Sequence, residues 1–351
     1  MVRPPDVSME WAAWLALLTL VLVALMVLGL LVLRALRWLR APLVAAFEAR
    51  WQPVLLASMV GDAGVVPDGL TLSGAQRWHL MRMWLHGQML VYGESRDRLA
   101  RLGMDLGFRA LALKRLNSAH YAERMVGLLA LGFLRDASST PLLLQRLQEG
   151  SNHTLIYAGR ALLEIDEAQH ADAVARALLQ CEGLDLALTS VMFKTFRQGL
   201  GQALRQLEPV PQDAAALPWL RLAGALQLLL PAAVLQRYLS PAQDPEVLMA
   251  ALRLVQGEQG AAEVMALARH ADWRVRAQAA RALGEVGGPA EVPALLGLII
   301  DAQWWVRHRA AQALLRVPGV ARAQVLTAVQ ATGDRYAQSM LQSVLAQEER
   351  A

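Results

Sequence analysis

Seven histidines and one cysteine are the residues best suited to metal or nucleophilic chemistry, and their spacing assembles neither. His79, His86, His120, His153, His170, His270 and His308 are scattered, and no histidine is followed by a glutamate, so no HExxH-type zinc site forms. Cys181 stands alone, which rules out a disulfide framework and a cysteine-based zinc site and suits a reducing compartment. No phosphate-binding GxxxxGK[ST] loop and no GxSxG elbow occurs. No catalytic residue, metal or cofactor is therefore expected.

The chemistry that remains is recognition. Arg274, Gln278 and Arg281 fall three and four residues apart, so on a helix they share one stripe. Trp305, His308, Arg309 and Gln312 form a second. Arginine and tryptophan combine large contact area with hydrogen bonding and are enriched at interaction hot spots. The pattern predicts a docking surface for a protein partner. An anionic small molecule such as a nucleotide would suit the same arginines, and an ordinary solvated face is the plain alternative.

Those stripes need helices to carry them, and the sequence repeats itself to supply them. ADWRVRAQAARALGEV (271–286) aligns with AQWWVRHRAAQALLRV (302–317): Trp273 with Trp304, Val275 with Val306, Arg276 with Arg307, Ala279 with Ala310, Leu283 with Leu314, each 31 residues apart. RMVGLLALG (124–132), IYAGRALL (156–163) and DPEVLMAALRLVQG (244–257) are weaker copies, with TPLLLQRLQEG, AEVMALARH and PAEVPALLGLII as second helices between them. Val275, Ala279 and Leu283, and Val306, Ala310 and Leu314, should face inward. Two helices per period of this length make an alpha-solenoid, whose units bury their apolar faces only by stacking.

The run D-x-W-x-V-R-x-x-A-A-x-A-L-G, Asp272 to Gly284, resembles a HEAT repeat of the short, phycobilin-lyase-like type. The next copy has Leu315 in place of the final glycine. The resemblance is clearest over 244–317, weaker over 119–180 and faint over 181–240. It implies that Arg276 and Arg307 pair with aspartates of a repeat ladder, Asp272 and Asp301. It also implies one alternative to a scaffold, a lyase-like enzyme; the arginine patch itself suggests another, a nucleotide-sensing module.

The N-terminus is a different object. Trp11 to Leu33 carries no charge, and Thr19 is its only hydrogen-bonding side chain apart from two tryptophans. About 20 such residues span a hydrocarbon core of roughly 30 Å. A cleaved signal would have a shorter core followed by a small-x-small site. Here Arg34, Arg37 and Arg40 follow, with Trp38, Phe47 and Trp51 nearby, which predicts an uncleaved anchor with basic and aromatic residues at the interface. The arginines place the N-terminus outside and the rest in the cytoplasm. Pro42 and Pro53 should bend or end the helix before a hinge at 61–74.

The expected organisation is all-α: a short extracytoplasmic N-terminus (1–10), a transmembrane helix (11–33), a juxtamembrane helix and linker (34–73), and a HEAT-like alpha-solenoid (74–351). A net charge of +4 with interspersed acids does not make the basic stripe that nucleic acid requires. The layout resembles bacterial single-pass, inner-membrane HEAT-repeat proteins. That resemblance implies a scaffold or regulatory subunit whose partner is a polysaccharide-synthesising glycosyltransferase.

Overall fold

The computed structural model describes residues 7–61, 72–256 and 260–348. No strand occurs among them. The chain divides into two compact units, Met1–Leu111 and Ala112–Ala351.

In the first unit, α1 (Val7–Val60) is one helix of 54 residues. Its segment Trp14–Val32 has a mean hydropathy of 3.1 and is wholly unburied, long and apolar enough to cross a bilayer. The helix does not stop at either proline. Pro42 and Pro53 are both exposed and inside the helix, where each removes a backbone donor and crowds the carbonyl four residues back without ending it. The juxtamembrane segment is a continuation of the apolar helix up to Val60. Most of the expected hinge, and the N-terminal residues 1–6, lie outside the described residues.

Beyond its apolar stretch α1 acquires a packing face. Trp51 is 1% exposed, and with Leu55 it belongs to the core of this unit, so it is not available at an interface. α2 (Gly74–Leu90) begins where the sequence reads Ser-Gly-Ala-Gln: Ser73 Oγ accepts from Gln76 N–H and the Gln76 side chain returns the bond. Buried Trp84 donates to the Leu99 carbonyl at 2.6 Å, tying α2 to α3 (Glu94–Asp105). It also meets Phe108 edge-on, at the start of α4 (Phe108–Leu116). The expected start of the solenoid at 74 coincides with α2, whereas the compact units divide after Leu111.

The second unit is a stack of helix pairs. It continues with α5 (Tyr121–Phe133), α6 (Thr140–Glu149), α7 (Asn152–Ile165), α8 (Glu167–Gln180), α9 (Leu186–Met192), α10 (Arg197–Gln206), α11 (Ala216–Ala225) and α12 (Ala232–Tyr238). Then come α13 (Pro245–Leu252), α14 (Ala261–Leu267), α15 (Trp273–Val286), α16 (Val292–Leu298), α17 (Trp304–Arg316), α18 (Arg322–Ala331) and α19 (Arg335–Glu348). Odd-numbered helices pack on one another in succession from α5 to α19, and even-numbered helices back them. This is an alpha-solenoid of HEAT-like pairs.

Small residues set the stack's tightness. A Cβ on Gly284 would lie 2.6 Å from Ala313 Cα, and one on Gly132 would lie 2.5 Å from Ala161 Cα. The same glycine–alanine contact therefore closes α15 on α17 and α5 on α7. Between 181 and 240, where repeat identity is faint, bulky groups fill the space. Phe193, Trp219 and Tyr238 are fully buried, and Trp219 stacks on Tyr238 at 5.7 Å. The Tyr238 hydroxyl donates to the Pro209 carbonyl, and burial together with the Glu208 charge pushes it up to about 12, against the opposing pull of Arg237.

Candidate partner-docking site

α15 starts because Asp272 caps it, accepting the Arg274 N–H at 2.8 Å. Val275, Ala279 and Leu283 are completely buried, as are Val306 and Ala310, with Leu314 at 1%, so the inward faces are those the helical spacing predicts. The opposite side of α15 carries Arg274, Gln278 and Arg281, and that of α17 carries Trp305, Arg309 and Gln312.

The α15 trio is more engaged than an open cationic stripe. Arg274 grips Asp272 at 2.7 Å and reaches Glu246 of α13 at 3.0 Å, while the other Glu246 oxygen lies 3.4 Å from Arg221 of α11. Hydrogen bonding to Arg274 holds the Asp272 carboxyl below its ordinary value, against the effect of burial. Arg281 pairs with Glu285 at 3.2 Å and touches the Arg253 carbonyl. The Gln278 amide oxygen, in the orientation that satisfies both groups, accepts from Arg281 Nε at 2.8 Å.

The α17 quartet is aromatic at one end and polar at the other. Trp305 meets Trp304 edge-to-face at 4.7 Å, and Trp304 lies flat on His308, 7° from parallel at 5.0 Å. Burial, helped by the neighbouring Arg309 charge, lowers the His308 imidazole and favours its neutral form. Arg309 donates to Gln312 at 3.2 Å. The structure thus links the α15 residues to α13 and α11, and the α17 residues to one another.

Sequence reasoning missed Glu246, Arg221 and Trp304. Glu246 was findable: in the copy DPEVLMAALRLVQG it occupies the position of Arg274 and Trp305. The ladder is also visible. Arg276 forms a two-pronged pair with Asp301 at 2.7 and 2.9 Å, joining one repeat to the next. Arg307 departs from the expected pattern. It donates to the Asp301 backbone carbonyl at 2.9 Å and lies over the Tyr336 ring at 5.8 Å. Asp272 serves Arg274, not the ladder. Burial pushes the Asp301 carboxyl up, but the Arg276 and Gln303 hydrogen bonds outweigh it and hold the group below its ordinary value.

Elsewhere, the first unit has a cleft of about 550 Å³ between α1 and α2, where His79 meets Glu48 at 3.0 Å. Two smaller hollows, about 290 and 300 Å³, share Leu186 and Arg221 in the second unit. Among the described residues no three of His, Cys, Asp and Glu gather as a metal site would. Arg34, Trp38 and Leu39 are exposed on α1; the side chains of Arg37 and Arg40 lie outside the described residues.

A family model for HEAT repeats matches residues 231–316. Over this segment the chain is similar to HEAT repeats. The segment covers α12 to α17, and so the whole of both candidate stripes. No curated protein matches. Among solved structures, that of human deoxyhypusine hydroxylase in complex with glycerol is similar at 17% identity, covering 88% of this chain and 99% of its own, with a TM-score of 0.28. At that score the similarity bears on no functional question, and the HEAT array is assigned by its own repeats.

Proposed function

We propose that this protein is a membrane-anchored HEAT scaffold that docks a protein partner on the outer face of α13, α15 and α17. The observation that carries the reading is the cluster of Trp304 and Trp305, 48% and 55% exposed, on the same face as Arg309 and Gln312. Large aromatic area beside hydrogen-bonding side chains, on a rigid helix pair, is what a binding hot spot requires. The exposed apolar stretch of α1 supports the anchor, and Arg34, Arg37 and Arg40 support an inner-membrane, single-pass arrangement with the N-terminus out and the solenoid in the cytoplasm. A polysaccharide-synthesising glycosyltransferase is the first partner to test.

A nucleotide-sensing role is the weaker reading. Arg274 and Arg281 already neutralise Glu246, Asp272 and Glu285, so a phosphate would have to displace carboxylates. A lyase-like enzyme would have to use the hollow of about 510 Å³ lined by Glu167, Asp172, Thr195, Gln198 and Gln202, which lies away from the exposed tryptophans.

The experiment is purification of the tagged chain from solubilised membranes with identification of what accompanies it, repeated with Arg274, Arg281, Trp305 and Arg309 all changed to alanine. The variant should melt near the parent and lose the partner, since a real hot spot costs about 2 kcal/mol or more of binding per residue. Retention of the partner at parental yield would place the docking site elsewhere.

A further inference from the structure

Four large aromatic rings stand exposed at the starts of α15, α17 and α19: Trp273 at 36%, Trp304 at 48%, Trp305 at 55% and Tyr336 at 73%. Trp273 opens α15, Trp304 and Trp305 open α17, and Tyr336 is second in α19, so three consecutive helices of one layer each contribute a rung. Packed helices lie roughly 8–10 Å apart, so rungs carried one per helix would recur at about that interval.

That spacing selects among the shapes a bound segment could take. A polyproline II helix has three residues per turn at 3.1 Å each, a repeat of about 9.3 Å. An α-helix repeats every 5.4 Å or so, and a strand returns to the same face after roughly 6.6–6.8 Å. Only the first keeps step with one rung per helix. Its backbone makes no internal hydrogen bonds, so its carbonyls are open to the indole N–H groups. The rings are also pre-positioned: His308 stacks under Trp304 and Trp304 abuts Trp305, so less side-chain freedom is lost on binding.

Charge narrows the occupant further. Arg307, Arg309 and Arg335 flank the rungs and keep their full charge while Arg307 bonds the Asp301 carbonyl and Arg309 bonds Gln312, whereas the nearby carboxylates are held by protein partners: Asp272 by Arg274, Asp301 by Arg276, and Asp334 by the Ala337 N–H. We propose that this edge binds an acidic, proline-rich segment of a partner protein as a polyproline II helix, one proline per rung at every third residue. The mode rests on the docking reading above and specifies its chemistry.

The test uses the full chain in detergent micelles and a fluorescently labelled peptide, PDEPDEPDEP. Controls replace every proline by alanine, replace every acid by lysine, or move the prolines to every second position. The parent should bind the first peptide saturably and each control at least tenfold more weakly. Trp305→Ala and Tyr336→Ala should each weaken binding severalfold or more with unchanged melting. Tyr336, the most exposed rung, carries the test should a tryptophan variant melt early. Absence of saturable binding, equal binding of the alanine peptide, or parental affinity in both variants would overturn the proposal. Should the peptide fail while the four-alanine variant still loses its co-purifying partner, the docking face stands and this mode falls. Should the peptide bind through the rungs while that variant keeps its partner, this mode stands and the broader docking assignment falls.

Discussion

Substituting Gly284 by alanine sets two effects of known size against each other. Alanine is favoured over glycine within a helix by about 1 kcal/mol. The added Cβ, however, would lie 2.6 Å from Ala313 Cα and 2.7 Å from its Cβ, where ordinary contacts begin at 3.4 Å. The two helices must part by about 0.8 Å, and because the obstacle is backbone no rotamer change relieves it. Overpacking of this kind costs roughly 1–3 kcal/mol, so the clash should at least cancel the gain and exceed it by up to about 2 kcal/mol. For a domain of this size each kcal/mol lowers the melting temperature by about 2–4 °C. Gly297 supplies the control: it is exposed in α16, and a Cβ added there would meet no heavy atom within 4 Å, so alanine should stabilise by up to about 1 kcal/mol. The measurement is a helicity-monitored melt of both variants beside the parent. A midpoint raised as far as that of Gly297→Ala would refute the close approach that the stack is built on.

The same stack and the proposed anchor lead to three more expected outcomes. Ala279→Leu or Ala310→Leu should each destabilise by roughly 1–3 kcal/mol in chemical denaturation, because both sites are fully enclosed. The lowered Asp301 carboxyl stabilises the fold above its ordinary value of 3.8, a contribution lost as pH falls through the still lower folded value; Asp301→Asn should flatten the acid decline in melting temperature below about pH 4. A reporter fused after Ala351 should be active in its cytoplasmic form, and activity of a periplasm-only reporter would reverse the proposed orientation.

Much of the stack is legible in the sequence because it uses one solution repeatedly. Val275, Ala279 and Leu283 recur as Val306, Ala310 and Leu314, and a repeated interface leaves a repeated spelling. The stretch from α9 to α12 packs through Phe193, Trp219 and Tyr238, whose shapes fit one place each and so leave no period to detect. The candidate site was legible as residue positions but not as charges. Spacing put Arg274 outside, yet its tie to Glu246 crosses between helices and needs the stack's register to be seen. The prolines misled about α1 because local propensity argues for a stop, whereas exposed rings leave the helix free to run on.

A helix of 54 residues at 1.5 Å each has a contour of roughly 80 Å. Trp14–Val32 and the buried Trp51 and Leu55 stand on that one helix, with Pro42 between them. A rotation of the apolar segment about its axis is therefore passed on, through hydrogen-bonded turns, to the core of the first unit. What the unbroken α1 preserves between its two halves is bearing, as a drive shaft does, so that whatever grips one end sets the compass heading of the other.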